Sequence, residues 1–147
     1  MDNELWNAEF CGFFWGEGCA DLQKYSRKNR GCMYRPRLRI TLRSDDEPIL
    51  LDIQEHLGGT VTKGHNAKNY KWKTQTSRTW CLSNKESVVC VCDILLKGCM
   101  PAKKLKQIKV IRKAAKLRAG KLGHVTDNER TILEKCYKLA QYLKKFK

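Results

Sequence analysis

Hydrophobic positions change their period several times along this 147-residue chain, and each change marks an element. Residues 4–16 are apolar on most sides of a helical projection and read as a short helix. From Met33 to Arg43 the alternation is strict. Tyr34, Pro36, Leu38, Ile40 and Leu42 fall on one face, and Arg35, Arg37, Arg39, Thr41 and Arg43 on the other. That is a strand with one wet, basic face. Residues 19–27 read as the strand before it, joined through Arg27-Lys28-Asn29-Arg30-Gly31, a hairpin turn carrying Gly. Pro36 lacks an amide donor, which predicts an edge position or a bulge there.

A second helix follows, capped by Ser44 or Asp45, with Pro48 near its start and Gly58-Gly59 at its end. Ile49, Leu50, Ile53 and Leu57 form its apolar face. Residues 60–65 and about 78–83 read as a second hairpin, whereas 66–77 are polar, Lys-rich and without a clear period. A third helix spans about 85–97. Gly98 and Pro101 separate it from a long basic helix over about 102–119. Thr126-Asp127-Asn128-Glu129 is a capping box opening a last helix, whose stripe is Leu133, Cys136, Tyr137, Ala140 and Leu143. The order predicts an α+β fold, αββαββα, with a four-stranded antiparallel sheet and extra C-terminal helices. A core over residues 1–120 and a helical extension over 121–147 packed on it are expected.

Charge gives this pattern a direction. Thirty Lys and Arg against fifteen Asp and Glu leave +15, a surplus that selects nucleic acid or another polyanion as partner class. Residues 1–20 carry −4 and 44–59 carry −5, whereas 21–43 carry +7, 60–85 carry +6 and 102–125 carry +9. Acidic helices therefore alternate with basic hairpins, so a sheet with helices on one face leaves a basic face on the other. A strand of about 12 residues spans about 40 Å, close to one turn of duplex.

Other classes fall away. No run of 18 apolar residues exists, and the first 20 residues hold no Lys or Arg, so neither a spanning helix nor a signal peptide is expected. The expected compartment is the cytosol or an organellar matrix. The eight cysteines include no C-x-x-C pair and no His at zinc-finger spacing, and read as reduced, small hydrophobes.

The end of the first helix carries the chemistry. Ala8, Gly12 and Gly16 recur every four residues, a stripe that lets another backbone approach closely. Two helical glycines cost about 1 kcal/mol each relative to Ala. Glu17 stands between Gly16 and Gly18, where the helix dipole disfavours a carboxylate and a bound cation would offset this. A solvated Glu beside a Gly cap is the simpler local alternative.

Phe10-Cys11-Gly12-Phe13-Phe14-Trp15-Gly16-Glu17-Gly18 resembles the LAGLIDADG motif of homing endonucleases, and the element order over about residues 3–110 resembles that family's core. The resemblance implies a divalent-metal-dependent DNA endonuclease, with Mg²⁺ or Mn²⁺ as cofactor and double-stranded DNA as partner. One motif copy implies a homodimer meeting at Ala8, Gly12, Phe13 and Gly16, with no membrane partner and no small-molecule cofactor. Glu17 becomes the implied catalytic acid and, with Gly16, the implied metal site. A family lysine near the active site maps to Lys104, or to Lys103 if the register slips by one. The place after the second strand, where the family often has Gln or a basic residue, holds Leu42-Arg43-Ser44 here, making Arg43 the catalytic candidate.

If the basic face lies in a major groove, the expected readers are Asp21, Gln23, Tyr25 and Arg27 on the first strand. Arg35, Arg37, Arg39 and Arg43 serve on the second, with Lys63, His65 and Lys73 from the second hairpin. Arg suits guanine and Gln adenine. Each chain would read about ten base pairs, and a dimer about twenty, nearly palindromic. The alternative is a non-cleaving nucleic-acid-binding protein on the same fold, an intron RNA maturase or a DNA-binding regulator.

Overall fold

The computed structural model describes residues 3–29, 31–63, 76–121 and 125–145. Helix α1 (Asn3–Glu17) runs directly into β1 (Gly18–Arg27), followed by β2 (Gly31–Arg43), a 3-10 turn (Ser44–Asp46) and α2 (Glu47–Leu57). Then come β3 (Thr60–Lys63), β4 (Ser77–Leu82), α3 (Lys85–Leu96), α4 (Ala102–Arg118) and α5 (Asp127–Lys145). The strands form one antiparallel sheet in the order β1-β2-β4-β3. The α+β architecture is the one the hydrophobic pattern predicts.

Strand alternation decides which face the helices cover. Ala20 and Leu22, then Tyr34, Leu38 and Ile40, then Trp80 and Leu82 are buried at alternate positions. They join Phe10, Phe14, Leu50, Val88, Ile111 and Leu133 from the helices in one hydrophobic cluster. Phe10 meets Trp80 edge-on at 6.1 Å between ring centroids, a favoured aromatic geometry. Helix α1 is tied to α2 by Trp6, whose ring stacks on His56 at 4.2 Å and whose indole donates to Asp52 at 3.0 Å.

Pro36 sits opposite Leu22 in an unbroken register, so no bulge forms. Strand β4 pairs only with Leu38 to Arg43, so at Pro36 strand β2 has β1 as its single neighbour. The edge environment expected from proline is thus present locally, inside a strand that is central elsewhere.

Helix α2 begins later than expected. Ser44 to Asp46 form a 3-10 turn, and Asp46 occupies the cap without a side-chain hydrogen bond. The cause is a long-range tie: the Ser44 amide donates to the Thr76 carbonyl at 2.8 Å, which holds the chain beside the approach to β4. Gly59 ends the connection to β3 with φ +91°, and a Cβ there would lie 2.7 Å from the Cys81 carbonyl oxygen. Only glycine fits.

The C-terminal helix is anchored by polar contacts along its first turns. Its capping box forms as read, with the Glu129 amide donating to Thr126 Oγ1 at 3.1 Å and the Thr126 amide to Glu129 Oε1 at 3.3 Å. Arg118 adds a buried ion pair to Glu129 at 3.2 Å. One turn further along, Glu134 accepts from the Tyr34 hydroxyl and from Lys24, which together hold its carboxyl below the usual carboxylate range. Among the described residues no helix is long and apolar enough to cross a membrane.

Candidate functional site

Helix α1 ends at Glu17, and Gly18 starts β1 with no intervening loop. A Cβ on Gly18 would lie 2.3 Å from the buried Phe14 ring, so the strand can leave the helix this sharply only through glycine. Glu17 is therefore set at the corner between helix and sheet, and it is exposed. Lys104, in the first turn of α4, closes the same corner. Its Nζ donates to the Gly18 carbonyl at 2.5 Å and lies 5.5 Å from the Phe14 ring centroid. Burial lowers the pKa of this ammonium below the ordinary lysine value. Of the two candidate lysines, Lys104 makes this contact and Lys103 does not.

The donors at the corner are hard oxygens: one carboxylate and the backbone carbonyls of Gly16 and Gly18, the latter already engaged by Lys104. That chemistry suits Mg²⁺, Mn²⁺ or Ca²⁺ rather than a thiolate-seeking metal. One chain contributes a single carboxylate there, so a complete coordination shell needs oxygens from outside it.

The α1 stripe faces outward. Ala8, Gly12 and Gly16 are exposed, Phe13 is half-buried, and Leu5 and Trp15 are 62% and 51% exposed along its margins. A Cβ added at Gly12 or Gly16 would meet nothing within 4 Å. Nothing among the described residues explains these two glycines.

On the face of the sheet opposite the helices, β2 presents Arg35, Arg37, Arg39, Thr41 and Arg43, and β1 presents Asp21, Gln23, Tyr25 and Arg27. The Arg35 guanidinium stacks over Tyr25 at 5.0 Å. Gln23 Oε1 and Arg39 Nε are buried without a hydrogen-bond partner among the described residues. Arg43 lies three residues beyond Ile40, the residue paired with Gly18. That is about 10 Å along the strand, on the same face as Arg39.

Two expected readers are placed differently. Asp21 is not a solvent-facing acceptor: it is 3% exposed and its carboxylate is taken by Arg37 at 2.9 Å through both Nε and Nη2, and by Arg39 at 2.6 Å. The Arg37, Arg39 and Lys144 side chains packed against it help to cover it. Lys63 pairs opposite Arg78, in register with Val61 and Trp80 on the helix side of the sheet, so it is off the arginine face. Thr60 and Thr62 occupy the arginine side of that strand. His65 and Lys73 lie outside the described residues.

Other features escape a sequence pattern. Lys144, near the end of α5, reaches Asp21 Oδ2 at 3.7 Å. Thr41 and Thr79 share a hydrogen bond of 2.9 Å across β2 and β4 on the basic face. The hairpin register held one usable signal: pairing Arg27 with Gly31 puts Asp21 directly opposite Arg37.

The family model described as LAGLIDADG endonuclease matches residues 10–115. Among solved structures, the homing endonuclease I-CvuI, in complex with its target in the presence of Ca, superposes with a TM-score of 0.72 at 23% identity. That match covers 99% of this chain and 83% of that one. The homing endonuclease I-TnaI gives a TM-score of 0.72 at 17% identity, covering 95% and 93%. I-SmaMI, bound to uncleaved DNA target in the presence of calcium ions, gives 0.75 at 14% identity, covering 92% of this chain and 45% of that one. At these identities the likenesses establish the fold. A search of curated proteins found no match. The family match spans most of the chain, includes the helix-to-strand corner at Glu17, and agrees with the fold: this chain belongs to the LAGLIDADG endonuclease family.

Proposed function

We propose that this protein is a homodimeric, divalent-metal-dependent endonuclease that makes a double-strand break at a long, near-palindromic DNA site. The observation that carries the reading is the outward glycine stripe ending at Glu17. Gly12 and Gly16 lower helix stability by about 1 kcal/mol each relative to Ala, and their open Cβ positions leave room for a second helix. A two-fold seam along this stripe would bring the two Glu17 carboxylates together at the axis.

The chemistry follows from that pairing. The two Glu17 carboxylates, with phosphate oxygens, would supply the oxygens that one chain lacks. Bound Mg²⁺ or Mn²⁺ would supply an activated water and neutralise charge on the departing oxygen. Glu17 would hold the cation at the corner. Lys104, fixed by the Gly18 carbonyl, offers its remaining ammonium protons to the phosphate or its water network. The arginine face binds the duplex, with phosphate contacts positioning it and base contacts specifying the site. The DNA-bound states of I-CvuI and I-SmaMI support the same use of this fold.

The deciding experiment incubates the purified chain with a randomised duplex library and Mg²⁺. Selection of one family of near-palindromic sites, each cut in both strands and protected by a chelator, is the expected result. A chain that binds the library but cuts no member under any divalent ion would refute the nuclease reading.

A further inference from the structure

The arginine face contains an acid that the proposed function does not use. A lone carboxylate on a surface meant for phosphate repels its ligand, yet Asp21 sits on that face, on the edge strand β1, and is only 3% exposed. Its two oxygens are fully committed. Oδ1 accepts from Arg37 Nε at 2.9 Å, and Oδ2 accepts from Arg37 Nη2 at 2.9 Å and Arg39 Nη2 at 2.6 Å. Lys144 completes the cluster at 3.7 Å from Oδ2. Three cations from two elements, β2 and α5, therefore converge on one buried anion.

We infer that Asp21 is a positioning residue for sequence readout, fixing the guanidiniums of Arg37 and Arg39 with Lys144 as the third member of the cluster. An unrestrained arginine loses considerable side-chain freedom on docking to a base edge. A bidentate carboxylate removes much of that freedom before the DNA arrives, and preorganisation of this kind sharpens discrimination as well as affinity. Arg37 spends Nε and Nη2 on Asp21 and Arg39 spends Nη2, which leaves Nη1 of each as an uncommitted donor group in a fixed plane. The arrangement also gives α5 a role in recognition. That helix lies outside residues 10–115, which the family model matches, and it brings Lys144 to the reading face.

The inference rests on the DNA-binding reading above, and its test separates the two. Cleavage of target variants changed one base pair at a time is measured for the wild type, R37A, R39A and D21N. The arginine variants locate the base pairs read by those two side chains. D21N is expected to lose about tenfold discrimination at those pairs and to keep the wild-type preference elsewhere. Its affinity for non-specific duplex should rise, because an anion has left the face. A D21N profile identical to wild type, or one relaxed evenly at every position, overturns the positioning role. If D21N does not fold, K144M serves in its place: relaxation at the same pairs supports the role and an unchanged profile overturns it. A wild-type chain that cuts no target refutes the nuclease reading instead, and one that cuts every target equally refutes its site specificity.

Discussion

Lys104 donates its ammonium to the Gly18 carbonyl across 2.5 Å, locking the start of α4 to the first residue of the strand that follows the motif helix. The contact puts a cation on the carbonyl of the residue that follows Glu17. Lys104→Ala is expected to lower the cleavage rate on the order of 10²-fold, the usual cost of losing one preorganised electrostatic donor. Binding to the target should change little, because the arginine face is untouched. Single-turnover cleavage and a filter-binding isotherm on the same duplex measure both. Lys103→Ala serves as the control. An equal rate loss in Lys103→Ala would move the role away from Lys104.

The three motif glycines should respond to substitution with opposite signs. Gly18→Ala forces a methyl to within 2.3 Å of the Phe14 ring and should destabilise the fold by about 1–3 kcal/mol. Gly12→Ala and Gly16→Ala meet nothing among the described residues and should leave the monomer as stable or gain up to about 1 kcal/mol of helix propensity. Larger residues there, such as Gly12→Leu, should keep the monomer folded and weaken its dimer. Sedimentation velocity alongside thermal melts separates these effects. A Gly12→Leu chain that dimerises like the wild type would place the seam elsewhere.

Acid should loosen the C-terminal helix first. Burial alone would raise the Glu129 pKa, but hydrogen bonds from Thr126 and Arg118 and the charge of Lys121 outweigh it and hold the pKa at about 2, below the ordinary 4.5. A carboxyl depressed in the folded state stabilises the fold fully above its unfolded pKa and loses that contribution as pH falls toward the folded value. Wild-type stability should therefore decline between about pH 4.5 and pH 2. Glu129→Gln should be less stable at neutral pH and flatter across that window. Urea melts at several pH values give the comparison, and parallel curves for the two proteins would rule out Glu129 as the source.

Much of this was readable from local chemistry. The Met33–Arg43 alternation assigned the arginine face because a strand has a period of two, and the Thr126–Glu129 box assigned a helix start because both partners lie within one turn. The start of α2 departs from the pattern for the opposite reason: the Ser44 amide is bound by the Thr76 carbonyl, and no local pattern encodes that partner. Asp21 was read as a reader because its strand position faces the right way, which is correct. Its burial depends on Arg37 across the hairpin and on Lys144 from the far end of the chain. The first partner follows from the hairpin register; the second is a tertiary contact of α5. The glycine stripe was visible as spacing, but only the folded chain reveals that Gly12 and Gly16 face empty space while Gly18 does not.

The most direct measurement is made on Glu17→Gln, an exchange of nearly equal size that removes the carboxylate charge at the corner. Target binding and strand cleavage are followed together in Mg²⁺ by electrophoresis of a labelled duplex. The predicted result is a complex of near wild-type affinity and a dimer that no longer cuts either strand. Cleavage by Glu17→Gln at a rate close to wild type would contradict a metal-holding role for this residue.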